Sequence, residues 1–177
     1  MRLLRSFLVA GVMAASAVSA SSAFAQSAAD KTWYVAPTVS LTINDSARTR
    51  SEGVAGGGAV GKILSDHWNV ELAGQYAAFG DKDNQASITL DGLYFIKRNK
   101  TFSPFITAGV GGVHEGPLPV EGRNRDLLLR GGVGFTTSVS SNIDFRMDAR
   151  YQWHGSTGGA PNLGDVFVSA GLNIYFK

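Results

Sequence analysis

The charged side chains with the means to do chemistry crowd into one run, Ser141 to His154 (SNIDFRMDARYQWH). Taken every second residue, Asn142, Asp144, Arg146, Asp148, Arg150, Gln152 and His154 form one set. Ile143, Phe145, Met147, Ala149, Tyr151 and Trp153 form the other. Successive side chains of a strand point to opposite sides of its sheet. One face of such a strand is therefore apolar or aromatic, and the other carries four charges of alternating sign. Parity in other segments adds Glu71, Asp91 and Arg130 to the charged side, so four acids meet three arginines. Two chemistries are open to the set. The charges pair because an unpaired buried charge is too costly, or they line a narrow path and gate ions along it.

Other chemistry-bearing patterns are sparse. Gly109-Val110-Gly111-Gly112 and Gly131-Gly132-Val133-Gly134 look like phosphate loops, but neither joins a strand to a helix, so neither is a nucleotide fingerprint. Glycines where barrel strands bend or pack closely explain them better. His67 and His114 are isolated, there is no metal-ligand spacing, and nothing calls for a cofactor. Cysteine is absent, which removes a disulfide framework and a thiolate metal site. The net charge of +2 includes Arg2 and Arg5 of an N-terminal leader, so the remainder is near neutral and offers no basic field for nucleic acid.

That leader spans residues 1–25. Its two arginines precede an apolar run from Leu3 to Val18 and the small-x-small site Ala23-Phe24-Ala25, a secretory signal cleaved before Gln26. Residues 26–177 form one domain. Glycine is abundant (22) and falls inside apolar stretches, which argues against helices. Eight segments read as strands: 32–43, 52–64, 67–79, 85–96, 102–113, 126–139, 141–154 and 165–176. Pro37 sits awkwardly in the first, and the glycines of the second blur its faces. Tight or intermediate connections follow the even-numbered segments and polar loops the odd ones, with 114–125 a long loop.

The wet side follows from the company each face keeps. Placing the polar face inside puts Glu71, Asp91, Arg130, Asp144, Arg146, Asp148 and Arg150 in a shared lumen. It leaves Val, Leu, Ile, Phe and Ala outside. Trp33, Trp68, Tyr94 and Phe176 then fall at one rim, and Tyr76, Tyr151 and Trp153 approach the other, as the aromatic girdles of a bilayer-spanning barrel do. The expected fold is all-β: an eight-stranded antiparallel transmembrane up-and-down β-barrel. The interior of such a barrel is just wide enough for side chains to fill, which favours pairing over ion passage. The inverse, a soluble lipocalin-like barrel with an apolar cup, makes the same alternation, as does a two-sheet sandwich.

Particular stretches carry a likeness. Trp33-Tyr34-Val35-Ala36 opens the first segment, and Asp91-Gly92-Leu93-Tyr94-Phe95 runs into Lys97-Arg98-Asn99. Pro104 to Gly111 (PFITAGVG) and the closing alternation to Tyr175-Phe176 complete it. In these the chain resembles the OmpA-like family of small outer-membrane barrels, barrel domain only, without a peptidoglycan-binding domain. The resemblance implies residence in the outer membrane of a Gram-negative bacterium and insertion by the barrel-assembly machinery. The final aromatic is followed here by Lys177, off the family's pattern.

A second resemblance is sharper in chemistry. His154-Gly155-Ser156, then Pro161-Asn162-Leu163-Gly164 and Asp165, is similar to the His-x-Ser and following stretch of lipid A deacylases of the PagL type. It would imply His154 as general base, Ser156 as nucleophile and an acid, Asp165, orienting the imidazole. Val166 stands where that family's Glu is sought, and His154 keeps the lumen-facing parity of Arg150 and Gln152. The expected role is therefore structural or interactive, with weak small-solute permeability at most. The barrel would be a monomer, with outer-membrane lipid and lipopolysaccharide around it. Loops near 44–51, 80–84, 114–125 and 154–164 would meet an unknown extracellular partner.

Overall fold

The computed structural model describes residues 32–46, 51–79, 84–115, 125–155 and 163–176. The expected signal segment 1–25, Lys177 and most of the four longer loops lie outside these residues, as does Ser156. The described residues form eight strands: β1 (Trp33–Ile43), β2 (Glu52–Ile63), β3 (Trp68–Ala78), β4 (Asn84–Phe95), β5 (Ser103–Glu115), β6 (Arg125–Ser138), β7 (Ile143–His154) and β8 (Leu163–Phe176). Each pairs antiparallel with its sequence neighbours, and β1 pairs antiparallel with β8, so the sheet closes on itself. Closure removes the sheet edges that would otherwise expose unpaired backbone groups.

Alternation decides the faces. Leu41, Ile43, Leu72, Ile88, Leu90, Ile106, Val110 and Val133 are exposed, whereas Glu71, Asp91, Arg130, Arg146, Asp148 and Arg150 are buried. A soluble barrel with an apolar cup would show the reverse. In β2, whose faces are blurred in the sequence, Val54 and Val60 look outward while Ala55 and Gly61 are buried inward.

The strand limits stay within two residues of those expected. Two of the largest shifts are ladder extensions. Ala86 pairs with His114 and Gln85 with Glu115, so β5 runs two residues into the stretch read as a loop. Trp153 pairs with Gly164 and His154 with Leu163, which starts β8 two residues early. Pairing across the rung continues wherever a partner backbone is available, whatever the local side chains say.

Pro37 stays in its strand, with a consequence. It pairs with Gly58 of β2, but the β1–β8 ladder passes from Val35–Ile174 to Thr38–Gly171 and skips Ala36 and Pro37. Proline has no N–H to give. The closing seam is therefore missing rungs at this point.

The β2–β3, β4–β5 and β6–β7 connections lie at one end of the barrel. The first is held by Leu64 and Ser65 N–H donating to the Trp68 carbonyl at 2.8 and 3.2 Å. In the third, Val139 and Ser140 N–H donate to the Ile143 carbonyl at 2.9 and 3.0 Å. The middle turn is built around Asn99, whose Oδ1 accepts the N–H groups of Thr101 and Phe102 at 3.0 and 2.5 Å, the local bonding that suits Asn to turns.

The polar face lies inside, but the lumen is not polar throughout. Leu93, Phe95 and Phe105 pack inward at the short-turn end, the two rings 5.2 Å apart. Phe79, Phe167, Ala55 and Ala77 pack inward at the loop end. Glycines make the room. A Cβ on Gly61 would stand 2.2 Å from the Tyr34 ring, and one on Gly109 would stand 1.9 Å from Asp91 Oδ1.

Candidate functional site: the lumen

Between the two aromatic layers the charges meet. From β7, the inward i, i+2 series presents Arg146, Asp148 and Arg150 as one column. Arg146 Nε donates to Asp148 Oδ2 at 2.8 Å, and Arg150 Nε donates to Asp148 Oδ1 at 2.8 Å. Across the lumen, Arg146 Nη1 donates to Glu71 Oε1 on β3 at 2.5 Å. Arg130 on β6 grips Asp91 on β4 through both carboxylate oxygens, with Nε to Oδ1 at 2.7 Å. Arg150 stands 3.8 Å from Glu71 and 3.7 Å from Asp91, tying the two halves together. Every one of these side chains is 10 % exposed or less.

Asp144 does not join this layer. Its carboxylate accepts from Ser138 Oγ and Tyr175 OH, each at 2.8 Å, near the short-turn mouth. Of the expected four acids and three arginines, three and three meet in this layer, Glu71, Asp91 and Asp148 with Arg130, Arg146 and Arg150, while Asp144 faces inward nearer the mouth. A layer that sums to zero is what low-dielectric burial permits. A small space of about 30 Å³ lies beside it, bordered by Glu71, Arg130, Arg146, Arg150 and Gln152. It has room for a water or two.

Four residues absent from the expected network belong to it. Tyr34 OH donates to Glu71 Oε1 at 2.7 Å, Asn69 Nδ2 donates to Tyr34 OH at 3.0 Å, and Arg98 Nη2 donates to Asn69 Oδ1 at 2.5 Å. Tyr175 closes on Asp144. Tyr34, Asn69 and Tyr175 share the inward parity of the charged residues, so period 2 could have found them. Arg98 sits in the turn after β4, where parity carries no information. There its guanidinium carbon lies 3.9 Å over the Phe95 ring and it also donates to the Asp66 carbonyl. Burial pushes the Arg98 guanidinium below its ordinary value.

At the loop end, His154 and Asp165 are both buried inward, with Nε2 and Oδ2 3.8 Å apart. Asp165 Oδ1 accepts the Asp45 N–H at 3.0 Å, and Asp45 Oδ2 accepts the Gly164 N–H at 3.1 Å, so β8 and the start of the first loop are clasped together. An imidazole placed there faces the lumen and is separated from an acyl chain outside by the barrel wall. Ser156, Pro161 and Asn162 lie outside the described residues. Among the described residues no three His, Asp or Glu converge as a metal site.

The aromatic residues fall into two rings of positions. Trp33 pairs with Phe176 and Trp68 with Tyr94 at the short-turn rim, where Trp68 and Tyr94 rings lie 5.1 Å apart and Lys62 Nζ sits 5.0 Å over Trp33. Tyr76, Tyr151 and Trp153 lie toward the opposite rim.

The fold so defined is that of the transmembrane β-barrels of the outer membrane. Neisserial surface protein A is similar over 81% of this chain and 97% of its own, with a TM-score of 0.72 and 16% identity. The N-terminal β-barrel domain of Pseudomonas aeruginosa OprF is similar over 83% of this chain and all of its own, with a TM-score of 0.56 and 17% identity. At these identities the likeness is one of fold. No family model matches the sequence, and no curated protein matches it.

Proposed function

We propose that this protein resides in the outer membrane as a sealed, self-neutralised barrel, and that its role is structural and interactive rather than catalytic or conductive. The observation that carries the reading is the three-acid, three-arginine layer, closed by inward phenylalanines at both ends and surrounded by an exposed apolar exterior. An exterior of that kind needs lipid to cover it. A lumen of that kind has its charges engaged with one another instead of with a passing solute.

On this reading the signal at 1–25 is cleaved, and the barrel-assembly machinery inserts a monomer among outer-membrane lipid and lipopolysaccharide. The short turns face the periplasm. Surface partners meet the loops around 44–51, 80–84, 114–125 and 154–164, whose tips are largely outside the described residues. The inward direction of His154 weighs against lipid A hydrolysis, because the substrate's acyl ester lies on the other side of the wall.

Fractionation of expressing cells together with a heat-modifiable gel shift tests the membrane placement. We expect the protein in the outer-membrane fraction, with faster migration unheated than boiled. A soluble periplasmic product ends the proposal. Conductance of the purified protein in planar bilayers tests the sealed lumen: stable ohmic steps that change on Arg146→Gln would overturn it.

A further inference from the structure

The short-turn mouth is concave. An open hollow of about 210 Å³, bordered by Phe95, Arg98, Lys100, Thr136, Ser138 and Asp144, faces the turn side.

Its arginine has no ion pair, in contrast with those of the layer deeper in the barrel. Arg98 is half-buried on the Phe95 ring, and its hydrogen bonds go to two uncharged oxygens, the Asp66 carbonyl and Asn69 Oδ1. No carboxylate comes within ion-pair distance of it among the described residues. Asp144, on the same pocket wall, accepts from Ser138 and Tyr175. Lys100 is exposed at the lip. Arg98 and Lys100 stand around a space with an aromatic floor and the hydroxyl-bearing side chains of Thr136 and Ser138 along its wall, and the Asp66 and Asp144 carboxylates act on Arg98 only from beyond ion-pair distance. Burial depresses the Arg98 guanidinium, so its neighbours do not fully repay its desolvation.

We propose that this mouth is a binding site for a compact oxyanion, a carboxylate or phosphate group, held between Arg98 and Lys100 over Phe95. Such a group gives Arg98 the ion pair that the barrel itself does not supply. The planar fork of Arg98 suits either group. The site is defined by the barrel itself and does not depend on which membrane surrounds it.

The test uses the full mature chain refolded in detergent micelles, titrated with acetate and with inorganic phosphate and followed by isothermal calorimetry. Saturable binding is expected, and the tighter of the two anions identifies the group. Lys100→Gln and Arg98→Gln should each weaken binding by about tenfold, the loss of one charge-assisted hydrogen bond. Asp144→Asn should tighten it, because it removes the competing negative charge. The unheated gel shift of each variant separates loss of the site from loss of the barrel, and Lys100→Gln, at an exposed position, leaves the fold untouched. Absence of saturable binding to either anion overturns the proposal. So does binding that Lys100→Gln and Asp144→Asn leave unchanged.

Discussion

A single carboxylate shows how the lumen balances. Glu71 accepts from Arg146 and from Tyr34, and Arg150 is close by. Replacing Glu71 with Leu leaves three arginines facing two acids, and breaking one side of a buried pair costs about 3–5 kcal/mol. We expect that loss in the urea unfolding midpoint of Glu71→Leu in lipid bilayers. The double variant Glu71→Leu/Arg146→Leu restores two against two, since Asp148 retains Arg150 and Asp91 retains Arg130. It should therefore recover most of the stability, and the double-mutant cycle measures the coupling. Gly61 makes a comparable point through volume. Its Cβ would meet the Tyr34 ring, and overpacking of this sort costs about 1–3 kcal/mol, so Gly61→Ala should lower the same midpoint. Equal midpoints for Gly61→Ala and the wild type would mean that Tyr34 moves freely, contrary to its bonds with Glu71 and Asn69.

Strand by strand, period 2 carries most of what the sequence can say. β7 declares both its faces, and β3 and β8 nearly do. β2 is mute, because a glycine has no side chain to assign; its faces come only from pairing with Tyr34 on one side and Gly74 on the other. Inward phenylalanines escape for the opposite reason. Phe95, Phe105 and Phe167 are apolar and so go unassigned in a polar-inside reading, although their parity matches Asp91, Thr107 and Ser169. Their place depends on a three-dimensional gap that glycines on other strands leave open. Asp144 has the right parity and the wrong height, since alternation fixes the side of the wall but not the level along the axis. Arg98 needed the turn's geometry, which Asn99 supplies. The outward face can be tested on one strand. Leu90, mid-β4, is 53% exposed, and an arginine facing lipid near the midplane costs about 2–4 kcal/mol. Leu90→Arg should lose about that much in bilayers. Thr89→Arg, one residue along, should disrupt instead by crowding Asp91, to which Thr89 donates at 3.0 Å. A spin label at Phe145, outward on β7, should report lipid; water exposure there would invert the whole assignment.

Across the whole molecule the ends differ. Turns of a few residues gather at one mouth with Arg98, Lys100 and Asp144, while the other mouth opens toward the longer loops and is drawn in by Asp45, Asp165 and Gly164. The wall is uniform save at its closing seam, where Pro37 leaves rungs unmade. A ring zipped by seven hairpins and one long-range pairing comes apart where the teeth are missing. Breathing of the cylinder should begin between the first and last strands, and amides of β8 near Leu172 and Asn173 should exchange with deuterium ahead of their counterparts on β4. Pro37→Val supplies the absent donor and, at about 0.5–1.5 kcal/mol per added bond, should slow that exchange. The chain thus carries a built-in first place to open, set by one ring-shaped residue.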